Sequence, residues 1–204
     1  MNLLVINLPL FGHAITDIDT GKILNISNGK LITTRVISII KGQNGNPGKI
    51  QGLINEQTEI GTINKNSIFG IYGNVNDISK VKINNDRTMD VATRNEIKLG
   101  DATILCSVEG EEAKEYKIQI DKIYLNNDYD NKSMLIKITD NKLLEKTGGI
   151  IQGMSGSPVI QNGKFIGAVT NVLINDSTRG YVVFGDLMIK EMQTVYWNIY
   201  NKVV

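Results

Sequence analysis

The chain of 204 residues carries 22 Lys and Arg against 21 Asp and Glu, with 41% hydrophobic and 21% charged residues. It can bury a core, and it lacks the charge bias that draws in nucleic acid or an anionic membrane surface. One cysteine, Cys106, and one histidine, His13, exclude an intrachain disulfide and the usual Cys/His zinc sites, which need several such ligands.

In chain order, residues 1–11 are apolar but have no basic n-region, no small-residue cleavage site and too few apolar residues to span a bilayer. They read as a strand over 3–8 rather than as an export signal or an anchor, and a chain that opens in a core strand reads as part of something longer. Short Ile- and Val-rich runs bounded by Asn, Asp and Gly predict further strands at 22–26, 31–40, 49–54, 67–71, 80–83, 102–108, 116–124 and 133–138. Cys106 falls in one of them and reads as a small core residue. The glycine-rich stretch 41–50 is not a phosphate loop: five residues separate Gly42 from Gly48, and Ile50 stands where Ser or Thr would hold magnesium. It is expected to be a mobile loop or a turn between strands. Residues 126–132 read as an exposed polar loop, and a short helix is expected over 140–146.

Asn162-Gly163 between the apolar runs 158–160 and 165–169 is a strong hairpin signal. At the end, Met188, Met192, Val195, Tyr196, Ile199 and Val203 recur at helical spacing after Asp186, a good N-cap. This predicts a C-terminal helix whose apolar stripe, with Tyr196 and Trp197, is a packing face. The pattern is all-β, a barrel or sandwich with one terminal α-helix, and two small barrels fit the length. One domain over 1–204 is expected, its two β-lobes meeting at about 100–115.

The chemistry concentrates in Gly153-Met154-Ser155-Gly156-Ser157-Pro158. A serine between small residues in a tight turn is how a hydroxyl nucleophile is set beside converging backbone amides. An α/β-hydrolase elbow would need Gly at 157 and a following helix; here Ser157, Pro158 and a hairpin follow. The turn instead looks like the Gly-x-Ser-Gly-x-Pro turn of chymotrypsin-like β-barrel peptidases, with the amides of Gly153 and Ser155 facing a developing oxyanion. An ordinary surface turn is the bland alternative. His13, in Gly12-His13-Ala14-Ile15-Thr16-Asp17-Ile18-Asp19, precedes the serine as in barrel peptidases. It is the side chain whose ordinary pKa, about 6.5, suits a general base at neutral pH.

These residues resemble the stage IV sporulation protein B serine peptidases of endospore-forming bacteria, which are grouped with the chymotrypsin-like peptidases. The match runs through Thr147-Gly148-Gly149-Ile150-Ile151-Gln152 and the serine turn to Thr170, Asn175-Asp176 and Gly180-Tyr181. It also includes Gly12-His13 with Ile15, Asp17, Thr20 and Gly21, then Pro47-Gly48, and Ile60-Gly61-Thr62-Ile63 with Asn66 and Gly70-Ile71. The resemblance implies a chymotrypsin-like double β-barrel, Ser155 as nucleophile, His13 as general base and Asp140 as the acidic third member, with Thr170 at a position tied to activity. In chymotrypsin-like chains the acid usually lies in the first barrel, and Asp140 also suits a helix N-cap, so Asp17 and Asp19 stand as alternatives. Family members usually carry a membrane anchor and a PDZ domain before the peptidase; neither is in this sequence. No cofactor or metal is implied.

The implied activity is a serine endopeptidase acting on a protein substrate, including itself by autocleavage, in sporulation signalling between mother cell and forespore. The competing reading is a catalytically silent β-barrel that binds a protein partner. Direct membrane insertion and nucleic-acid binding are not expected of this chain.

Overall fold

The computed structural model describes residues 14–17, 20, 22–43, 45–77, 79, 89–110, 112–128 and 130–200, without the side chains of 55, 56 and 195–200. His13, Asp19, the strands expected at 3–8 and 80–83, and the packing of Tyr196 and Trp197 lie outside the described residues or side chains.

Two β-units follow one another. The first is an antiparallel three-stranded sheet in the order β1 (Gly29–Ile40), β2 (Lys49–Ser67), β3 (Gly70–Val75). The second is a closed barrel built from β4 (Gly100–Cys106), β5 (Lys114–Ile123), β6 (Met134–Ile138), β7 (Pro158–Gln161), β8 (Lys164–Leu173) and β9 (Asp176–Phe184), in the order β4-β5-β6-β9-β8-β7. Helix α1 (Asn141–Thr147) connects β6 to the serine turn, and α2 (Gly185–Tyr200) leaves β9 directly. The all-β reading with a C-terminal helix holds. The sheet ends at Val75 and the barrel begins at Gly100, so the expected 100–115 boundary falls on β4 and β5, inside the barrel.

The barrel follows the alternation of its sequence. Ala102, Ile104 and Cys106 of β4 and Ile118 and Ile120 of β5 point inward, and Met134, Ile136, Val182 and Phe184 complete the interior. Each such aliphatic side chain fully removed from water contributes about 1.5–3 kcal/mol. Burial pushes the Cys106 thiol up to about 12, so it is a packed, inert core residue. Asn162 (φ 52°) and Gly163 (φ 74°) make the expected two-residue hairpin turn, both in the left-handed region that a type I′ turn demands.

The strand expected at 22–26 is an isolated bridge at Ile23, the one expected at 67–71 straddles the β2–β3 turn, and three further elements differ from expectation. Strand β2 runs on to Ser67 because the polar stretch after Ile54 stays paired with β1 through several register shifts; its polarity hides it in the sequence. Strand β9 was not anticipated, since its first half is polar and holds Gly180, yet pairing with β6 and β8 on its two sides fixes it. Helix α2 starts at Gly185, so Asp186 lies in its first turn rather than at the N-cap, accepting from Arg94 Nε at 2.8 Å. A carboxylate there still complements the helix dipole.

The glycine-rich loop is the β1–β2 turn, and it is docked. Gly42 N donates to Thr147 O (2.8 Å), Gly45 N to Ile174 O (3.0 Å), and Gly48 O accepts from Gln152 N (2.8 Å). A Cβ on Gly48 would lie 2.1 Å from Ile40 O, and one on Gly148 would lie 2.3 Å from Gly42 O. The glycines let two backbones touch where sheet meets barrel. Elsewhere Tyr72 of β3 packs on Met192 of α2, and Lys65 pairs with Glu191 at 2.8 Å.

Candidate active site

The serine turn is anchored at each end and in the middle. On the incoming side Gln152 forms a parallel bridge with Lys49: its N–H donates to Gly48 O and its carbonyl accepts from Ile50 N, both at 2.8 Å. Met154 is fully buried in the barrel core, and its amide donates to Ile151 O at 3.0 Å. On the outgoing side Gly156 N donates to Val169 O (2.7 Å) and Val169 N to Ser157 O (3.0 Å), zipping the turn onto β8. Gly153 (φ 99°) and Gly156 (φ 86°) occupy left-handed conformations that strain any other residue. A Cβ on Gly153 would also sit 3.0 Å from the Ile50 Cβ.

Following each amide through the turn shows what is left over. Those of Gln152, Met154, Gly156 and Ser157 have backbone acceptors, that of Ile151 points to the Met154 sulfur, and Pro158 has none. Among the described residues, the amides of Gly153 and Ser155 donate to nothing. These two amides flank Met154, Gly153 being exposed and Ser155 half-buried.

The Ser155 hydroxyl donates to the carbonyl of Thr170 at 3.0 Å. Thr170 is buried, and its own hydroxyl donates to Asn131 O at 2.8 Å, tying β8 to the segment before β6. The structure thus brings Ser155, Gly153 and Thr170 together. Beneath them lie Gly48 and Ile50, against Gln152 and Gly153, and Asn131 behind Thr170. Only the tertiary pairing reveals these.

The acidic candidates are placed differently. Asp140 is the N-cap of α1, with Oδ1 accepting from Leu143 N (3.1 Å) and Oδ2 from Lys117 N (3.3 Å). Met134 and Val169 both pair with Val182, whereas the Asp140 amide donates to Lys117 O, next to the Ile118–Ile138 pair. Asp140 therefore lies about five residues of strand, on the order of 16 Å, from the level of Ser155. Among the described residues, no contact joins Asp140 to Ser155. Asp17 accepts from the amide (2.8 Å) and hydroxyl (2.7 Å) of Thr20, closing its own loop. Asp19 and His13 lie outside the described residues.

The family model described as SpoIVB peptidase S55 matches residues 8–189. The chain belongs to this family. It is a serine peptidase. No curated protein matches significantly. Among solved structures it is similar to the active form of the Rv3671c protease from M. tuberculosis, with 17% identity, 78% of this chain and 71% of that chain covered, and a TM-score of 0.47. The inactive form gives 16% identity, 82% and 86% coverage and the same TM-score of 0.47. A glutamic acid specific serine protease gives 13% identity, 81% and 89% coverage and a TM-score of 0.40.

Proposed function

We propose that this SpoIVB-type peptidase is an endopeptidase in which Ser155 is the nucleophile, His13 its general base, and the amides of Gly153 and Ser155 the oxyanion hole. The observation that carries the reading is the pair of unpartnered amides on either side of the buried Met154, with the Ser155 hydroxyl in the same turn. His13 takes the Ser155 proton as Oγ attacks the peptide carbonyl. The negative charge on the carbonyl oxygen is met by the two amides, each worth about 3–4 kcal/mol in the transition state by analogy with measured oxyanion donors. Collapse of the intermediate expels the amine, which takes the proton from His13, and water then releases the acyl group.

Thr170 serves this arrangement from behind. Its carbonyl holds the Ser155 hydroxyl in the resting state, and its buried hydroxyl fixes that carbonyl against Asn131. For Asp140, its hydrogen bonds support helix capping as its role in the structure.

Family membership supports a protein substrate in sporulation signalling, and the chain itself is one such substrate in this reading. Incubation of the purified protein tests it: the wild type yields discrete fragments of itself or of an added unfolded protein, and Ser155→Ala and His13→Ala yield none. Equal fragmentation in all three would assign the cleavage to something else and refute the proposal.

A further inference from the structure

The β8–β9 hairpin leaves a pocket beside the serine turn that the steps above do not use. The Ser155 hydroxyl rests on the carbonyl of Thr170 at 3.0 Å, and the very next residue, Asn171, lines a cavity of about 340 Å³. Val172, Leu173 and Asn175 continue the lining along the hairpin, while Lys132 and Tyr181 contribute to it from the segment before β6 and from β9. The tip of the hairpin is fixed, since Ile174 O accepts from Gly45 N at 3.0 Å. Residues 171–173 rise by about 10 Å along the strand, so the pocket lies within about three extended substrate residues of Ser155.

What this pocket offers is a cation and no anion. Lys132 is its one charged lining residue. Its Nζ lies 5.5 Å from the centroid of the Tyr181 ring, whose face attracts the ammonium. Among the described residues it has no ion-pair partner. Both partners of this contact are placed by their backbones. Lys132 N donates to Asp130 Oδ1 (2.8 Å) and Lys132 O accepts from Asn127 Nδ2 (3.1 Å), and Tyr181 pairs with Leu135 of β6. The neighbouring carboxylates are engaged elsewhere: Asp130 Oδ1 also accepts from Asn127 Nδ2 at 2.8 Å, and Asp176 Oδ1 accepts from the amide and hydroxyl of Thr178 at 3.1 and 2.6 Å. The side-chain amides of Asn171 and Asn175 have no partner among the described residues and are able to donate. An ammonium and two amides beside the aliphatic walls of Val172 and Leu173 match a side chain with an apolar stem and a carboxylate end.

We propose that this pocket receives an acidic side chain of the substrate, Asp or Glu, within about three residues of the scissile bond, and that Lys132 is the specificity-determining residue that selects it. The proposal rests on the reading of Ser155 as nucleophile. Because Lys132 is exposed, the preference is modest: about 3- to 10-fold in kcat/KM for Glu over Gln, shrinking as salt rises.

The experiment incubates the full chain with a mixture of denatured proteins and maps the new termini by mass spectrometry, for wild type, Lys132→Gln, Lys132→Glu and Ser155→Ala. Synthetic peptides built on the most frequent cut, with Glu, Gln or Lys at the favoured position, then give kcat/KM. Wild type is expected to enrich Asp and Glu at one position near the cut and to favour the Glu peptide about 3- to 10-fold. Lys132→Gln is expected to bring that ratio below about twofold, and Lys132→Glu to transfer the preference to Lys at the same position. A support of the fold would slow all the peptides alike and would not invert the choice between them.

The proposal is overturned by cut sites with no acidic enrichment in wild type, or by an enrichment that Lys132→Gln leaves intact. Cuts that persist in Ser155→Ala would instead refute the reading of Ser155, and the proposal would fall with it for a distinguishable reason.

Discussion

Replacing Thr170 by valine and by serine separates its two jobs. The side chain is 3% exposed and its hydroxyl donates to Asn131 O at 2.8 Å, while the backbone carbonyl of the same residue accepts from Ser155 Oγ. Valine keeps the shape and removes the donor, leaving the Asn131 carbonyl unpaired at a cost of about 1–2 kcal/mol. For a chain of this length that lowers Tm by about 2–8 °C. Serine keeps the donor and deletes one methyl group, at about 1 kcal/mol. The stabilities of the two variants are thus similar, but their activities are not. With the tether to Asn131 gone, the carbonyl that places Ser155 is free to shift. Misplacement costing about 1.4 kcal/mol in the transition state is tenfold in rate. Thr170→Val should acylate at least tenfold more slowly than wild type, and Thr170→Ser within about threefold, measured by single-turnover labelling alongside urea unfolding. A folded Thr170→Val that acylates at the wild-type rate would refute the claim that Thr170 acts through its hydroxyl.

Three further outcomes are expected. Gly153→Ala places a Cβ 3.0 Å from that of Ile50 at φ 99°; it should cost about 1–3 kcal/mol in urea unfolding and slow acylation by about tenfold or more as the amide is displaced. Asp140→Ala should cost about 1 kcal/mol as a lost N-cap, and Asp140→Asn almost nothing in stability or rate. Were Asp140 the group orienting the histidine, the asparagine variant would instead lose about four orders of magnitude. Stability should fall in acid. The hydrogen bond from Lys164, with those from Thr93, lowers Glu96 to about 2, Lys146 lowers Glu109, and Thr178 lowers Asp176. With folded pKa values below the unfolded ones, this stabilisation is complete above the unfolded carboxylate range of about 4 and is lost as pH falls from there toward 2. A urea midpoint that stays constant from pH 5 to pH 3 would contradict this.

Much of the site was legible because its determinants are local. The Gly-x-Ser-Gly-x-Pro turn, its glycines and the hairpin behind it lie within 153–163 and announce themselves through residue types that only such backbone tolerates. The N-cap character of Asp140 was legible for the same reason, since a cap is a contact three residues away. The supports were not legible, because they are long-range: Ile50 under Gly153 and Asn131 behind Thr170 are joined to their partners across 103 and 39 residues. Strand β9 was missed because its polar first half takes its structure from two neighbours rather than from its own alternation. The glycine-rich loop read as a mobile connection because glycine signals freedom in sequence; here it signals close approach between sheet and barrel.

Covalent labelling of the folded protein with a fluorophosphonate, mapped by peptide mass spectrometry, tests the central claim most directly. The account predicts a single adduct on Ser155, absent from Ser155→Ala and severely slowed in His13→Ala, with Ser157 unmodified two residues away. An adduct elsewhere, or none on Ser155 in a folded protein, would contradict it.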